Sequence, residues 1–168
     1  MKVLTRFYSI QVFLIAISYA MAWPVDANAA LGGNAGSVAS DARVLGAVTV
    51  NHVSGPASNA PSLEVYTVER LAMPSKISVN EYVGADGRVF AVSWRGMRPP
   101  DLTVLMGVYF RQYRDAAEAG GIGALGLHHS SVRASDVEVE TAGHMRDMWG
   151  RAWLPAALPP GVTAQEIR

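Results

Sequence analysis

The chain has 168 residues, with 14 Lys plus Arg against 14 Asp plus Glu, four His and no Cys. A formal charge of zero excludes nucleic-acid binding by bulk electrostatics, which takes a basic surface to neutralise phosphates. The missing Cys excludes disulfides, thiolate metal sites, a Cys nucleophile and a lipid-modified N-terminal Cys, and the length suits one domain with a real core.

Lys2 and Arg6 precede an apolar run from Ile10 to Trp23, which is broken by Pro24 and followed by Ala27-Asn28-Ala29. A positive start, a short apolar centre and small residues at the end are the three parts of a secretory signal, and the run is short for a bilayer, which takes roughly 20 apolar residues. Residues 1–29 are therefore expected to be a signal peptide cut after Ala29. The cut would remove Lys2, Arg6 and Asp26, leaving the exported domain close to neutral with one more acid than base. Its only lysine would be Lys76.

Residues 30–62 are rich in Gly, Ala, Ser and Asn, with one short helix expected over Ser37–Leu45, capped by Ser37, and a loop over Ser54–Pro61. From Leu63 to the end the chain is expected to form a single α+β domain. Three strands are predicted at about 63–71, 76–83 and 88–95, joined at Pro74-Ser75 and Asp86-Gly87. Asp-Gly favours a two-residue type I′ hairpin, which sets Glu81 opposite Val92 and Val79 opposite Trp94. A two-residue loop at Pro74-Ser75 would set Val68 opposite Glu81 and Arg70 diagonal to it. One face would then collect Tyr66, Val68, Ile77, Val79, Val83, Phe90, Val92 and Trp94.

Asp101 is the expected N-cap of a helix that runs to Gly120-Gly121, with Leu102, Leu105, Met106, Tyr109, Tyr113 and Ala116 at helical spacing. After a Gly-rich loop, Gly120 to Gly126, a second pair of strands is predicted at about 131–140 and 144–154 around Thr141-Ala142-Gly143. That hairpin would face Glu140 with His144 and Glu138 with Arg146. Thr163-Ala164-Gln165-Glu166 is a capping-box pattern for a terminal helical turn. The fold expected is α+β: an antiparallel sheet of about five strands, in a three-stranded meander, a helix and a hairpin, with one amphipathic helix packed on it.

Few residues carry chemistry. Glu81, placed on an apolar face, would have a raised pKa suited to acid/base work, or would pair with Arg70. Asp136, Glu138 and Glu140, with His144 and Arg146 across the hairpin, read better as a solvated strand face than as a cation site. His128-His129 sits at no zinc spacing, and no metal or cofactor is expected. Neither a nucleophile elbow nor a phosphate loop is present. Trp149 and Trp153 share one strand face, which is either covered by the N-terminal segment or the helix, or exposed as a binding surface.

Several motifs together resemble a bacterial family described as domain of unknown function 2844. They are Leu31-Gly32-Gly33, Glu81-Tyr82-Val83, Gly87-x-Val89-Phe90-Ala91-Val92-x-Trp94-x-Gly96, and Pro100-Asp101-Leu102 leading to Gly107-x-Tyr109-Phe110-x-x-Tyr113. Further on come Gly143-His144-Met145-Arg146, Gly150-Arg151-Ala152-Trp153-Leu154-Pro155 and Pro160-Gly161-Val162. The resemblance covers nearly all of the chain after the signal and implies an exported protein of Gram-negative bacteria, with no reaction to carry over. One position departs from it: the family pattern has Gly after Pro-Ser, and this chain has Lys76.

The function expected is a small periplasmic, non-enzymatic module that binds another envelope protein or a small ligand during envelope or secretion work. The alternative is an envelope enzyme using Glu81 with Arg70, or His144 with Glu140. No nucleic acid and no transmembrane segment after the signal are expected. The residues singled out are Glu81, Arg70, His144, Arg146, Trp149 and Trp153.

Overall fold

Seven strands, β1 (Thr49–Pro56), β2 (Glu64–Ala72), β3 (Ser78–Gly84), β4 (Val89–Gly96), β5 (His129–Arg133), β6 (Glu138–His144) and β7 (Asp147–Trp153), build one antiparallel sheet. Their order is β1-β2-β3-β4-β7-β6-β5. The computed structural model describes residues 31–56, 64–120 and 129–168; the expected signal 1–29, the rest of the loop after Pro56 and the Gly-rich loop after Gly120 lie outside them. The α+β class holds, with seven strands among the described residues where about five were expected. Each predicted unit gains an outer strand: β1 is added to the meander and β5 to the hairpin.

Both additions have a local cause. Ser54, Gly55 and Pro56, expected in a loop, still pair with β2, because Pro at a sheet edge loses no ladder bond. The predicted strand 131–140 folds back on itself, with Ala134 N–H donating to Val137 O across Ser135-Asp136 at 2.9 Å. Short polar residues turn the chain there without Gly or Pro.

The hairpin that follows also differs from expectation. Thr141, Ala142 and Gly143 stay in β6, and the turn is Met145-Arg146, with Arg146 at φ 70. Glu140 therefore faces Arg151, Glu138 faces Trp153 and His144 faces Asp147. Gly143 has φ 146, and a Cβ on it would run into the main chain of Asp147 and Met148, so this glycine serves close strand approach.

The β3–β4 pairs Glu81 with Val92 and Val79 with Trp94 are as expected. The loop is one residue longer: Gly84 N–H donates to Arg88 O, Gly87 alone takes positive φ, and Phe90 is accommodated by a bulge between Tyr82 and Val83. In the β2–β3 turn Met73 N–H donates to Ile77 O at 2.9 Å, closing a loop of Pro74, Ser75 and Lys76. This shifts β2 by one residue, so Val68 faces Tyr82, Glu69 faces Glu81 and Arg70 faces Asn80. A one-residue shift turns every side chain over, and Arg70 consequently lies on the face opposite Glu81.

Lys76 takes φ 58, a left-handed conformation that Gly adopts without strain. Lys76→Gly should therefore raise stability by about 0.5–1 kcal/mol in urea unfolding. A lower midpoint would show that the Lys side chain holds the turn.

The two sheet faces are covered by different ends of the chain. On one face Leu71, Val79, Val83, Val92, Ala152 and Leu154 pack under α1 (Val38–Val44) and α2 (Leu102–Met106). On the other, Tyr66, Val68, Tyr82, Phe90, Ala91 and Trp153 pack under the C-terminal segment, chiefly Val162 and Ile167. The expected single apolar face is thus divided, with Tyr66, Val68 and Phe90 on the C-terminal side. Tyr66, Tyr82 and Phe90 form an aromatic cluster there, with ring centroids 5.7 to 6.1 Å apart.

The helix expected over 101–119 is capped by Asp101, whose Oδ1 accepts from Thr103 N–H at 2.9 Å. It breaks, however, into α2 and α3 (Tyr109–Ala119), with Gly107 at φ 49 between them. Leu31 N–H takes the Leu105 carbonyl at 2.9 Å, the acceptor that a continuous helix would give to Tyr109. The Leu31-Gly32-Gly33 motif continues onto β4: Gly32 N–H donates to Val89 O, and Val89 N–H donates to Gly33 O. A Cβ on Gly32 would lie 2.9 Å from the Tyr109 ring, so this passage admits only glycine. The early segment is accordingly part of the core, with Leu31, Val38, Asp41 and Ala42 buried. Among the described residues no helix is long and apolar enough to cross a membrane.

Candidate functional site

On the C-terminal side of the sheet lies a pocket of about 390 Å³. Its floor is polar at alternate positions of central strands: Ser78 and Asn80 on β3, Ser93 and Arg95 on β4, Trp149 and Arg151 on β7. Period-two alternation puts these side chains on one face, and the wall is Gln165, Ile167 and Arg168 of the C-terminal segment.

That segment is held by specific contacts. Ile167 is fully buried, which contributes roughly 1.5–3 kcal/mol for a side chain of its size. Tyr82 Oη donates to Arg168 O at 2.6 Å and accepts from Arg168 N–H at 2.7 Å, while Asn80 Nδ2 donates to Arg168 O at 2.7 Å and to Ser93 Oγ at 3.2 Å. Glu166 closes the expected capping box, accepting from Thr163 N–H at 2.6 Å. Arg151 joins sheet to segment: Nε and Nη2 donate to Glu140 Oε2 at 2.8 and 2.6 Å, Nη1 donates to Ala164 O, and the guanidinium lies 5.6 Å from the Trp153 ring centroid.

The pocket's other guanidinium is also matched. Arg95 donates Nε and Nη2 to the two carboxylate oxygens of Asp147 at 2.9 and 2.7 Å, and these hydrogen bonds hold the Asp147 carboxyl below its ordinary range. The two cations on the floor therefore carry their own counter-charges. What remains free for a ligand is mostly apolar surface with neutral donors and acceptors, the usual make-up of a small-molecule site.

The residues singled out in the sequence separate. Trp149 lines the pocket half-buried, whereas Trp153 is 5% exposed beneath the C-terminal segment. The cover over this face is thus neither the early segment nor the helix. His144 and Arg146 are exposed at the β6–β7 hairpin tip next to Met145, which is 94% exposed. His144 and Glu140 do not converge, since Glu140 is engaged by Arg151. Asp136 lies in the turn before β6, bonded to Gln112 and Ser135, and Glu138 pairs with Arg133, so the expected acidic row is dispersed. His129 is exposed at the start of β5, and His128 lies outside the described residues. Among the described residues no group of three His, Asp or Glu side chains is placed to hold a metal.

Glu81 stands apart on the other face, 0% exposed, with neither carboxylate oxygen hydrogen-bonded in the structure. Burial pushes its pKa up to about 9, and the carboxylates of Asp41 and Glu69 push the same way. Glu69 is directly opposite on β2, with His52 Nδ1 lying 2.5 Å from its Oε1. Glu81 is sealed in the core rather than open to a cleft, so the geometry that acid/base work with Arg70 requires is absent.

Sequence reasoning missed Asn80, Ser93, Arg95 and Arg151 although a signal existed. The Asp86-Gly87 register already sets Asn80 opposite Ser93, two polar residues inside otherwise apolar strands. Gln165 and Arg168 carry no such signal, because their place depends on where the C-terminal segment docks.

Residues 27–167 match the model of a family described as a protein of unknown function (DUF2844). No curated protein and no solved structure is similar enough to match.

Proposed function

Since the chain belongs to the DUF2844 family, whose description assigns no activity, we propose that it is a non-enzymatic binding module of the cell envelope, taking a small ligand between the sheet and the C-terminal segment. The observation that carries this reading is the pocket of about 390 Å³ with Trp149 on its floor. Its size falls at the small end of ligand sites, roughly 300–1,000 Å³. Export is supported by the tripartite pattern of residues 1–29 and by a family match that begins at residue 27. Protein recovered from the periplasm should accordingly begin at Ala30 on N-terminal sequencing, whereas retention of Lys2 would show that the leader is not cleaved, and absence of the protein from the periplasm would end the export reading.

Trp149 is the residue to test for binding. In saturation-transfer NMR against a defined library of small polar and aromatic compounds, the wild-type protein should give hits that Trp149→Ala weakens by roughly tenfold or more, as loss of a central aromatic contact does. Hits untouched by Trp149→Ala, in a variant whose circular dichroism is unchanged, would move the site away from this pocket.

A further inference from the structure

The position of the pocket in the sheet closes it to one large class of ligand. Its floor is β3, β4 and β7, and each of these strands is hydrogen-bonded to a neighbour on both sides. An extended peptide that adds to a sheet needs a free main-chain edge, and none is available on this floor. A ligand here must be held by side chains.

Charge narrows the class further. Arg95 is matched by Asp147 and Arg151 by Glu140, each through paired guanidinium–carboxylate bonds. An anion would have to displace a carboxylate already held by two guanidinium N–H donors, or rest on the exposed Arg168, where solvent and salt weaken its attraction. Apart from that exposed guanidinium, the unspent capacity is neutral. Asn80 gives its amide donors to Ser93 and Arg168, which leaves Oδ1 as an acceptor, and among the described residues nothing is hydrogen-bonded to the Gln165 side-chain amide. These groups line the same pocket as the half-buried Trp149 indole. A ligand that matches the set presents hydroxyls as donors and acceptors along its rim and an apolar C–H face to an aromatic ring.

We propose that this pocket takes a neutral saccharide, one pyranose ring lying against Trp149 with its hydroxyls turned toward Asn80 and Gln165. The proposal rests on the binding-module reading and names its ligand class. Stacking on the indole supplies the affinity, and the amides select the orientation.

The test is a titration of protein expressed from the full chain, followed by the indole N–H signals in NMR. The neutral probes are glucose, galactose, N-acetylglucosamine and their 1,4-linked disaccharides; the anionic probes are glucuronate and benzoate. At least one neutral saccharide should bind, with less than a twofold change in affinity from about 50 to about 500 mM NaCl. Trp149→Ala should weaken it roughly tenfold or more, and Gln165→Ala, an exposed position that leaves the core intact, by a few-fold. Binding of glucuronate or benzoate without any neutral saccharide would overturn the saccharide class while leaving the pocket in place. Saccharide binding that survives both substitutions would put the site elsewhere and overturn the proposal. If no saccharide and no anion binds, the saccharide class falls, and the library screen with Trp149→Ala then decides separately whether the pocket binds anything.

Discussion

Glu81→Gln should flatten the pH dependence of folding and make the protein more stable at pH 8. Burial raises the Glu81 pKa from its ordinary 4.5 to about 9. A carboxyl whose pKa is higher in the folded state binds its proton more tightly there, so the stabilising effect is complete below pH 4.5. It falls away as the pH rises toward 9. Between pH 4.5 and pH 7 the wild-type protein should lose about 3 kcal/mol from this group alone, since the unfolded chain ionises and the folded one does not. This is the reverse of the usual carboxylate, which is paired with a cation and destabilised by acid. Asp41 on α1 and Glu69 on β2 are the charged neighbours that act against ionisation, and the His52 ring on β1 lies beside Glu69. Urea midpoints at pH 5 and pH 8 measure the effect. A wild type equally stable at both, or a Glu81→Gln variant that keeps the slope, would show that Glu81 is not held as the neutral acid.

The second large effect is expected at Arg151, which ties the sheet to the segment over it. Its side chain is 15% exposed, and it satisfies Glu140 and the Ala164 carbonyl together. Arg151→Ala would leave a half-buried carboxylate without its cation and a carbonyl without its donor, at a cost of about 2–4 kcal/mol. The loss should be felt locally first. Amides of residues 162–168 should exchange faster with deuterium, and Trp153, now wet, should shift its fluorescence to the red. Arg151→Lys keeps the charge without the two-pronged geometry, so it should fall between the two. If Arg151→Ala lowers stability while the 162–168 amides stay protected, Ile167 and Tyr82 hold the segment without it.

Elements whose information is local were readable from the residues. Asp101 caps a helix, and Thr163 and Glu166 form their box, because each needs only neighbours in sequence; Glu81 faces Val92 as expected because the bulge between Tyr82 and Val83 offsets a loop one residue longer than Asp86-Gly87. The β2 register was not readable. It turns on whether Lys76 accepts a left-handed conformation, and only the packing of both strands makes it do so. The helix break at Gly107 depends on Leu31 reaching the Leu105 carbonyl, a contact invisible to periodicity. At the site, Trp149 is legible because it shares a strand face with Trp153, whereas Asn80 and Ser93 carry no functional signal by themselves. Their meaning appears only when the C-terminal segment arrives above them.

The strand order divides the sheet into two meanders, β1 to β4 and β5 to β7, that meet along a single ladder between β4 and β7. Every pairing inside a meander joins neighbours in sequence, so each half can begin to form by closing short turns. The β4–β7 ladder instead joins Ala91 to Trp153 across α2, α3 and the Gly-rich loop. Closing so long a loop is the slow, entropically costly step, which belongs to the millisecond-to-second range of sheet proteins. Until it closes, β4 and β7 both present bare main-chain edges lined by Val92, Trp94 and Trp153, an aggregation-prone surface. The step that completes the sheet is therefore also the one that ends this exposure to aggregation, and it is the one that joins β3 and β4 to β7 as the floor of the pocket.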